Sequence, residues 1–218
     1  MPADKRSDID YSAKKKYRDK EGVAQYEQLR FSSLLGKYRY YREQKAVSAL
    51  IEALPSNILI ADCPCGNGRW WDILARRATR ITALDLSPTM LNAAKERARA
   101  FKIPIEIFRA SAEDIPLRDK VVDYSFCHAL TKHLPIPIQY QVLMELSRIS
   151  REGIICTFGI FSHFTYEFWR HRKLEGSFPV WPEALQWMAE AARLRIVRKI
   201  KCTTPIGVEH TILFKVGR

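Results

Sequence analysis

A short loop with two glycines is the part of this sequence with the clearest capacity for chemistry. It reads Asp-Cys-Pro-Cys-Gly-Asn-Gly over residues 62–68 and separates a short apolar run from a segment with helical spacing. Gly66 and Gly68 can adopt positive φ and let a ligand approach the backbone closely. Because the following helix would point its free N–H groups towards this loop, we expect a ligand to bind there.

A carboxylate, Asp85, ends the next apolar run, 17 positions beyond Gly68. In a doubly wound sheet the two positions are neighbours at the edge where ligands bind, so we expect Asp85 to accept hydrogen bonds from a ribose diol. A dinucleotide would need a third glycine where Trp71 stands, and tryptophan is far too large for that position. An adenosyl sulfonium cofactor has no phosphates and tolerates a bulky residue, so the pattern favours this second class.

The elements that would position these residues alternate between strands and helices. Short apolar runs predict strands over residues 57–62, 80–85, 104–108, 121–127 and 153–158. Helical spacing predicts helices over residues 69–79, 87–100 and 136–149, the second with Ser87 as its N-cap. Strands that alternate with helices of this length are typical of parallel β-α-β units with helices on both faces.

The two ends of the chain complete this pattern. Apolar residues at steps of three and four predict a helix over residues 21–54, with a break near Gly36, and another over 182–192. Strand candidates at 195–201 and 210–216 would form an antiparallel pair that closes the sheet. We therefore predict an α/β fold with a doubly wound, Rossmann-like sheet of seven strands, mostly parallel with an antiparallel C-terminal strand. No repeat or linker divides the chain, so we expect one domain over residues 1–218.

Four segments resemble, in order and spacing, the motifs of class I S-adenosylmethionine-dependent methyltransferases. They are residues 60–69 (Ile-Ala-Asp-Cys-Pro-Cys-Gly-Asn-Gly-Arg), 83–91 (Ala-Leu-Asp-Leu-Ser-Pro-Thr-Met-Leu), 110–117 (Ala-Ser-Ala-Glu-Asp-Ile-Pro-Leu) and 122–127 (Val-Asp-Tyr-Ser-Phe-Cys). The first is most similar to the loop of the small-molecule "type 11" group. The resemblance implies transfer of a methyl group from S-adenosylmethionine to an O, N or C atom of a small-molecule acceptor.

The resemblance also implies a role for each matching position. The methionine end of the cofactor would be lined by Asp62, Cys65, Gly66 and Gly68. The nucleoside would be held by Asp85, Leu86, Ser111, Ala112 and Glu113, while Cys127 and His128 would lie beside the sulfonium. The third motif departs from the family pattern, because Ser111 stands where aspartate is usual. A hydroxyl can still contact the adenine amino group, but without the charge-assisted hydrogen bond.

Methyl transfer is an in-line displacement with a good leaving group, so a base is needed only when the acceptor must lose a proton. His128 and His133 are the candidates, because both follow the fourth predicted strand at the sheet edge. The alternative for each histidine is structural hydrogen bonding.

The N-terminal segment is a candidate for closing the pocket. By resemblance to related enzymes, residues 1–54 would form a helical lid over a cofactor-binding core of residues 55–160, and closure would exclude water. The acceptor-binding candidates in this lid are Tyr17, Tyr26 and Arg30. The alternative is a helix packed on the sheet edge with its tyrosine hydroxyls in solvent.

The C-terminal segment, residues 161–218, would supply a substrate flap and the sheet-closing strands. His163 and Tyr166 are expected to help enclose the acceptor, and Arg170 could pair with an acidic group on it. The alternative is a small hydrophobic flap with a solvated basic edge.

The net charge of +12 is concentrated at the two ends of the chain. Residues 1–48 carry a net +5, residues 193–218 a net +6, and the long middle part only +1. A basic surplus suggests a nucleic-acid partner, but here it lies outside the cofactor motifs. Cys-His-Ala-Leu also stands where amino-methylating nucleic-acid enzymes carry Asn/Asp-Pro-Pro-Tyr/Phe. An RNA or protein methyltransferase, and a non-catalytic adenosyl-binding protein, are therefore the alternatives to a small-molecule enzyme.

The remaining composition excludes several other classes. The 218 residues are 47% hydrophobic and 28% charged, as in ordinary globular proteins, and no apolar run approaches the roughly 20 residues that span a membrane. Five cysteines without a Cys-x-x-Cys pair fit neither a disulfide framework nor a zinc site. The start of the chain lacks the apolar core of a secretory signal. We therefore expect no metal and a cytoplasmic location, and the sequence favours no particular oligomeric state.

Overall fold

Seven runs of apolar and β-branched residues form one sheet in the computed structural model, which describes residues 33–171 and 177–217. The strands are β1 (Ile58–Asp62), β2 (Ala78–Asp85), β3 (Ile105–Arg109), β4 (Val122–Cys127), β5 (Ser150–Gly159), β6 (Leu194–Lys201) and β7 (Glu209–Val216). Strand β7 runs antiparallel to its two neighbours, β5 and β6, while the other adjacent pairs are parallel. The predicted Rossmann-like sheet is therefore confirmed.

The strand order, β3-β2-β1-β4-β5-β7-β6, changes direction between β1 and β4. In open α/β sheets, ligands bind at such a point, outside the carboxyl ends of the strands. The ends of β1, β2 and β4 lie at one edge of the sheet, because Asp62 pairs in register with Ala83 on one side and Phe126 on the other. This edge carries the glycine loop.

Helices cover both faces of the sheet. They are α1 (Leu34–Ile51), α2 (Trp71–Leu74), α3 (Pro88–Ala98), α4 (Ile136–Ile149), α5 (His163–Trp169) and α6 (Pro182–Ala191), with a 3₁₀ turn at Thr131–His133. Apolar residues of α1, α2 and α3 pack on one face and those of α4 and α6 on the other, so the sheet separates two buried clusters. None of the helices in the described ranges is both long and apolar enough to cross a membrane.

One predicted helix differs from the structure, and another agrees in part. The helix predicted over residues 69–79 is wrong beyond its first turn, because α2 spans only Trp71–Leu74 and the chain re-enters the sheet at Ala78. The helix predicted over residues 21–54 ends at Ile51 and has a boundary near Gly36, as predicted, while residues 21–32 lie outside the described part of the chain. Helix α1 begins just before Gly36, and the Gly36 N–H donates to the side chain of Ser33, which caps the helix.

Candidate active site

The glycine loop is held on both sides by the sheet. The N–H of Cys63 donates to a carbonyl of β4 at 2.9 Å, and that of Cys65 donates to a carbonyl of β2 at 2.8 Å. Gly66 and Gly68 then adopt φ of +56° and +79°, a conformation that residues with a Cβ rarely adopt. The backbone therefore turns sharply between β1 and α2, as the two glycines predict.

Trp71 closes the loop from the helix side. A Cβ added to Gly68 would lie 2.6 Å from the Trp71 ring, so the buried indole occupies the space that the glycine leaves. Its Nε1 donates to Asp62 Oδ2 at 2.9 Å. The tryptophan that argues against a dinucleotide is thus a structural part of the loop, and it orients the first carboxylate of the site.

Asp62 carries a buried carboxyl group with only one oxygen engaged. Its Oδ1 has no hydrogen-bond partner among the described residues. Burial raises the pKa of Asp62 to about 8, against the hydrogen bond from Trp71, and the nearby charge of Asp85 acts in the same direction as burial. A cationic ligand group at Oδ1 would supply the missing partner and favour the carboxylate form.

Asp85 connects the glycine loop to the start of α3. Its Oδ2 accepts from the N–H of Gly66 at 2.9 Å, and its Oδ1 accepts from the N–H of Ser87 at 2.8 Å. Burial raises the pKa of Asp85, although these backbone hydrogen bonds act in the opposite direction. Since each carboxylate oxygen has two acceptor positions, Asp85 keeps the capacity to bind a diol.

The turn after β3 lies beside Asp85, because the N–H of Ala110 donates to the Asp85 carbonyl at 3.1 Å. Within this turn the Ser111 hydroxyl accepts from the N–H of Glu113 at 3.4 Å. The structure therefore brings to one edge the residues that the sequence assigns to the nucleoside: Asp85, Leu86, Ser111, Ala112 and Glu113.

His128 lies on the other side of the loop, immediately after β4. Its ring is buried between Trp70, with centroids 4.4 Å apart, and Phe126, at 6.0 Å. Arg69 Nη2 is 3.2 Å from His128 Nδ1. A guanidinium can only donate, so Nδ1 must be the acceptor in this contact. This geometry fits the structural alternative for His128 better than a role as base.

The two other predicted residues near β4 differ in exposure. His133 is half-buried in the 3₁₀ turn, where its N–H donates to the Leu130 carbonyl at 2.9 Å. The Cys127 thiol is buried beside Cys156, whose hydrogen bond and the burial together raise the pKa of Cys127 well above its ordinary value. Any contact of Cys127 with a ligand at the sheet edge would therefore be made by its backbone.

The predicted flap contains an aromatic cluster. The rings of His163 and Tyr166 lie 5.7 and 5.1 Å from that of Trp181, and Phe161 contacts both Tyr166 and Trp181. Arg170 forms an exposed ion pair with Glu167 of the same helix at 2.9 Å. The lid candidates Tyr17, Tyr26 and Arg30 lie outside the described residues.

Sequence reasoning missed two features of this edge. One is the contact of Arg69 with His128, and the other is a partly buried ion pair between Lys132 and Glu209. These pairs join residues 59 and 77 positions apart, and no local spacing signals them. In the described ranges, no group of three or more His, Cys, Asp and Glu side chains could hold a metal ion.

Comparisons with known proteins agree with this geometry. Residues 60–153 match the family model of a methyltransferase domain. The malonyl-[acyl-carrier protein] O-methyltransferase of Serratia marcescens is 31% identical over 102 residues, which are 45% of this chain and 36% of that protein. The protein of the same name from Pectobacterium atrosepticum is 29% identical over 147 residues, 64% of this chain and 53% of that protein. The chain thus spans about a third to a half of these curated relatives.

A solved structure extends the likeness to nearly the whole chain. Magnesium protoporphyrin IX methyltransferase from Synechocystis, with bound SAH, superposes with a TM-score of 0.75 at 13% identity, covering 94% of this chain and 100% of that one. At this identity the likeness shows the fold. The match of residues 60–153 to the methyltransferase-domain model and this likeness both agree with the class I fold that the four motifs predict.

Proposed function

We propose that this protein is an S-adenosylmethionine-dependent methyltransferase whose acceptor is a small acidic molecule methylated on oxygen. The observation that carries the proposal is the pair of buried carboxylates, Asp62 and Asp85, on either side of the glycine loop at the switch point of the sheet. One has an oxygen without a partner, and the other already organises the loop through Gly66.

The residues at this edge fit the cofactor in both of its polar parts. The unpartnered Oδ1 of Asp62 suits the methionine ammonium, and Asp85 suits the ribose hydroxyls. Leu86 and the turn formed by Ser111, Ala112 and Glu113 would contact the adenine. The cofactor supplies an activated methyl group on sulfur, and Cys65, Gly66, Gly68, Cys127 and His128 would surround that end through backbone and ring contacts.

The names of the curated relatives support an acidic acceptor and transfer to oxygen. A carboxylate is already deprotonated at neutral pH and needs no general base. This agrees with the engagement of His128 Nδ1 by Arg69. His133 would be needed as a base only for a hydroxyl acceptor. We further propose that residues 1–54 act as the lid and that the cluster of His163, Tyr166 and Trp181 encloses part of the acceptor.

The cysteine pattern supports a reducing, cytoplasmic location as part of this proposal. Each of the five cysteines is free and buried. Disulfides are rare where thiols are kept reduced, so unpaired cysteines are typical of such a compartment.

Calorimetry with the full chain tests the cofactor assignment. We expect heats of binding for S-adenosylmethionine and for its demethylated product, S-adenosylhomocysteine. Absence of heat with either would overturn the proposed function. Transfer of a labelled methyl group to a panel of carboxylic acids, followed by detection of base-labile methyl esters, then tests the reaction. Methyl groups recovered only on RNA or protein would favour an RNA or protein methyltransferase instead. Cofactor binding without turnover of any acceptor would favour a non-catalytic adenosyl-binding protein.

A further inference from the structure

A second group of buried polar side chains lies on the α1 face of the sheet. On this face Ile155 of β5 and Leu213 of β7 pack in the apolar cluster under α1. Because side chains alternate along a strand, Thr157 and Thr211, two positions further on, face the same side. They are register partners in adjacent strands and are 2% and 0% exposed. Two buried hydroxyls therefore lie together on the face of the sheet that α1 covers.

This group begins next to His128. Phe126 of β4 belongs to the same apolar cluster, so His128, two positions on, faces α1 as well. Cys127 and Cys156 are register partners, which places His128 and Thr157 at neighbouring positions one strand spacing apart, about 5 Å. The polar group thus extends from the proposed sulfonium end of the cofactor across β5 to β7.

Lys132 reaches the same place from the turn after β4. The neighbouring Thr131 hydroxyl donates to the Thr157 carbonyl, which fixes this turn on β5. The Lys132 ammonium pairs with Glu209 at the start of β7, and the two side chains are 10% and 21% exposed. The buried thiol of Cys202 marks the same location, because the charges of Glu209, Glu43 and Lys132 all act on it.

Several hydrogen-bond donors in this group have no nitrogen or oxygen acceptor within residues 33–171 and 177–217. A lysine ammonium has three N–H donors, and the described part of the chain offers the Lys132 ammonium one acceptor, Glu209. The hydroxyls of Thr157 and Thr211 have no nitrogen or oxygen partner among the described residues, and Thr211 faces only the weakly bonding Cys202 thiol. Buried donors without acceptors are costly, so a ligand that brings acceptor atoms would be stabilised here.

We propose that Lys132, Thr157 and Thr211 form the subsite that binds the carboxylate of the methyl acceptor. This inference rests on the proposed function and names the group through which the acceptor is held. A carboxylate offers about four lone-pair positions on two oxygens and forms charge-assisted hydrogen bonds with an ammonium. Glu209 orients the ammonium. The N–H donors of an amine acceptor would face the donors of Lys132, Thr157 and Thr211 and could not form hydrogen bonds with them. The subsite therefore selects against an amine.

The bound carboxylate would react without a proton transfer. One of its oxygens attacks the methyl carbon on sulfur, so a C–O bond forms while the C–S bond breaks and its electron pair passes to sulfur. The products are a methyl ester and a neutral thioether. The ester has lost its negative charge and with it the ion pair with the Lys132 ammonium, which favours release.

Binding measurements with acids and their esters test the subsite without requiring turnover. The probes are malonyl-pantetheine, butyrate and octanoate, each compared with its methyl ester by calorimetry on protein saturated with S-adenosylhomocysteine. We expect the unchanged protein to prefer at least one acid over its ester. Lys132→Met/Glu209→Gln, which removes both charges together, should weaken that acid at least tenfold and leave the ester and S-adenosylhomocysteine unaffected. Lys95→Met, an exposed lysine on α3, is the matched control and should change nothing.

The double variant Thr157→Val/Thr211→Val keeps the shape of the core. It replaces the Lys132→Met/Glu209→Gln variant in this test if that variant is too unstable to measure. It should weaken the same acid severalfold. Acid binding unchanged in both variants, or no preference for any acid over its ester while S-adenosylhomocysteine still binds, would overturn the subsite and leave the proposed use of S-adenosylmethionine intact. Loss of S-adenosylhomocysteine binding by the unchanged protein would overturn the proposed function itself.

Discussion

The fold buries the carboxyl group of Asp62 away from water, where it accepts a hydrogen bond from the neutral indole of Trp71. The carboxyl proton is held up to a pH of about 8 in the folded protein, because burial raises the pKa from an ordinary value of 3.8. Such a group costs stability, and its position beside the glycine loop indicates a ligand that restores its charge. The same reasoning applies to Asp85, whose pKa is also raised by burial but whose two oxygens already bind the backbone.

The raised pKa of Asp62 predicts a pH dependence of stability. Between about pH 4 and 8 the folded protein binds a proton that the unfolded chain has lost, so the free energy of unfolding falls as pH rises. One proton contributes at most about 1.4 kcal/mol per pH unit. Asp62→Asn should flatten this part of the profile, measured by urea unfolding of the ligand-free protein from pH 5 to 8.

Asp72→Asn is the control for that experiment, because Asp72 is an exposed carboxylate on α2. Its profile should follow that of the unchanged protein. An Asp62→Asn profile with the same slope as the unchanged protein would contradict the burial argument.

Replacement of Asp85 should weaken cofactor binding strongly. Asp85→Ala would remove the two proposed ribose contacts with a charged acceptor, and it frees the N–H groups of Gly66 and Ser87. Hydrogen bonds to charged groups contribute about 1.5–3 kcal/mol each, so the Kd for S-adenosylhomocysteine should rise at least tenfold in calorimetry. Glu106→Ala removes an exposed carboxylate from β3 and should leave the Kd unchanged. Equal Kd values for Asp85→Ala and the unchanged protein would rule out the assigned role.

At the scale of elements, the loop between β1 and α2 depends on close packing as well as on backbone conformation. Both glycines have positive φ, but their surroundings differ. A Cβ on Gly66 would meet nothing within 4 Å, whereas a Cβ on Gly68 would meet the Trp71 ring. The indole would have to move, and its hydrogen bond to Asp62 would be lost.

The two glycines should therefore respond differently to alanine. Gly66→Ala should lower the free energy of unfolding by roughly 1–2 kcal/mol, the cost of a left-handed conformation. Gly68→Ala carries the same cost and a steric overlap, so its loss should be clearly larger and should include weaker cofactor binding. Denaturant unfolding and calorimetry on both variants check this, and equal losses at the two positions would contradict the packing argument.

At the scale of the whole molecule, the basic C-terminal segment is explained by its place in the sheet. Strand β6 is an edge strand, and its residues Arg195, Arg198 and Lys199 are exposed. Its pairing with β7 also shifts register between Ile196 and Arg198. Charged side chains and irregular pairing are the devices that prevent an edge strand from pairing with another molecule. Three of the seven basic residues in this segment therefore have a structural reason that requires no nucleic acid.

Neutralising this edge should promote self-association without affecting the cofactor site. Arg195→Gln/Lys199→Gln should raise the light scattering of concentrated protein and leave S-adenosylhomocysteine affinity unchanged, because β6 lies four strands from β1. Lys95→Gln/Lys102→Gln removes the same charge from exposed positions away from this edge and should scatter like the unchanged protein. If both double variants aggregate alike, net charge rather than edge protection is responsible.

The amino-acid sequence by itself determined the sheet, the glycine loop and the carboxylate at the end of β2. These features depend on apolar runs, helical spacing and turn residues that act within a few positions, so a local pattern is enough to predict them. The length of α2 was not predictable in this way. Helical spacing continues past Leu74, but Ala78 pairs with Ile58 in the sheet. The residues after Leu74 therefore lead into β2 instead of extending the helix.

Only the tertiary structure decided which polar groups meet. Trp71 reaches Asp62, Arg69 reaches His128, and Lys132 reaches Glu209 across 77 positions of the chain. These contacts depend on which faces of distant strands and helices pack together, and nothing in the local spacing encodes that choice. Burial and close neighbours set the energy of each polar group. These contacts therefore determine that the Asp62 carboxyl is held protonated and that His128 Nδ1 accepts a hydrogen bond. They also determine which buried donors have no acceptor within the described residues.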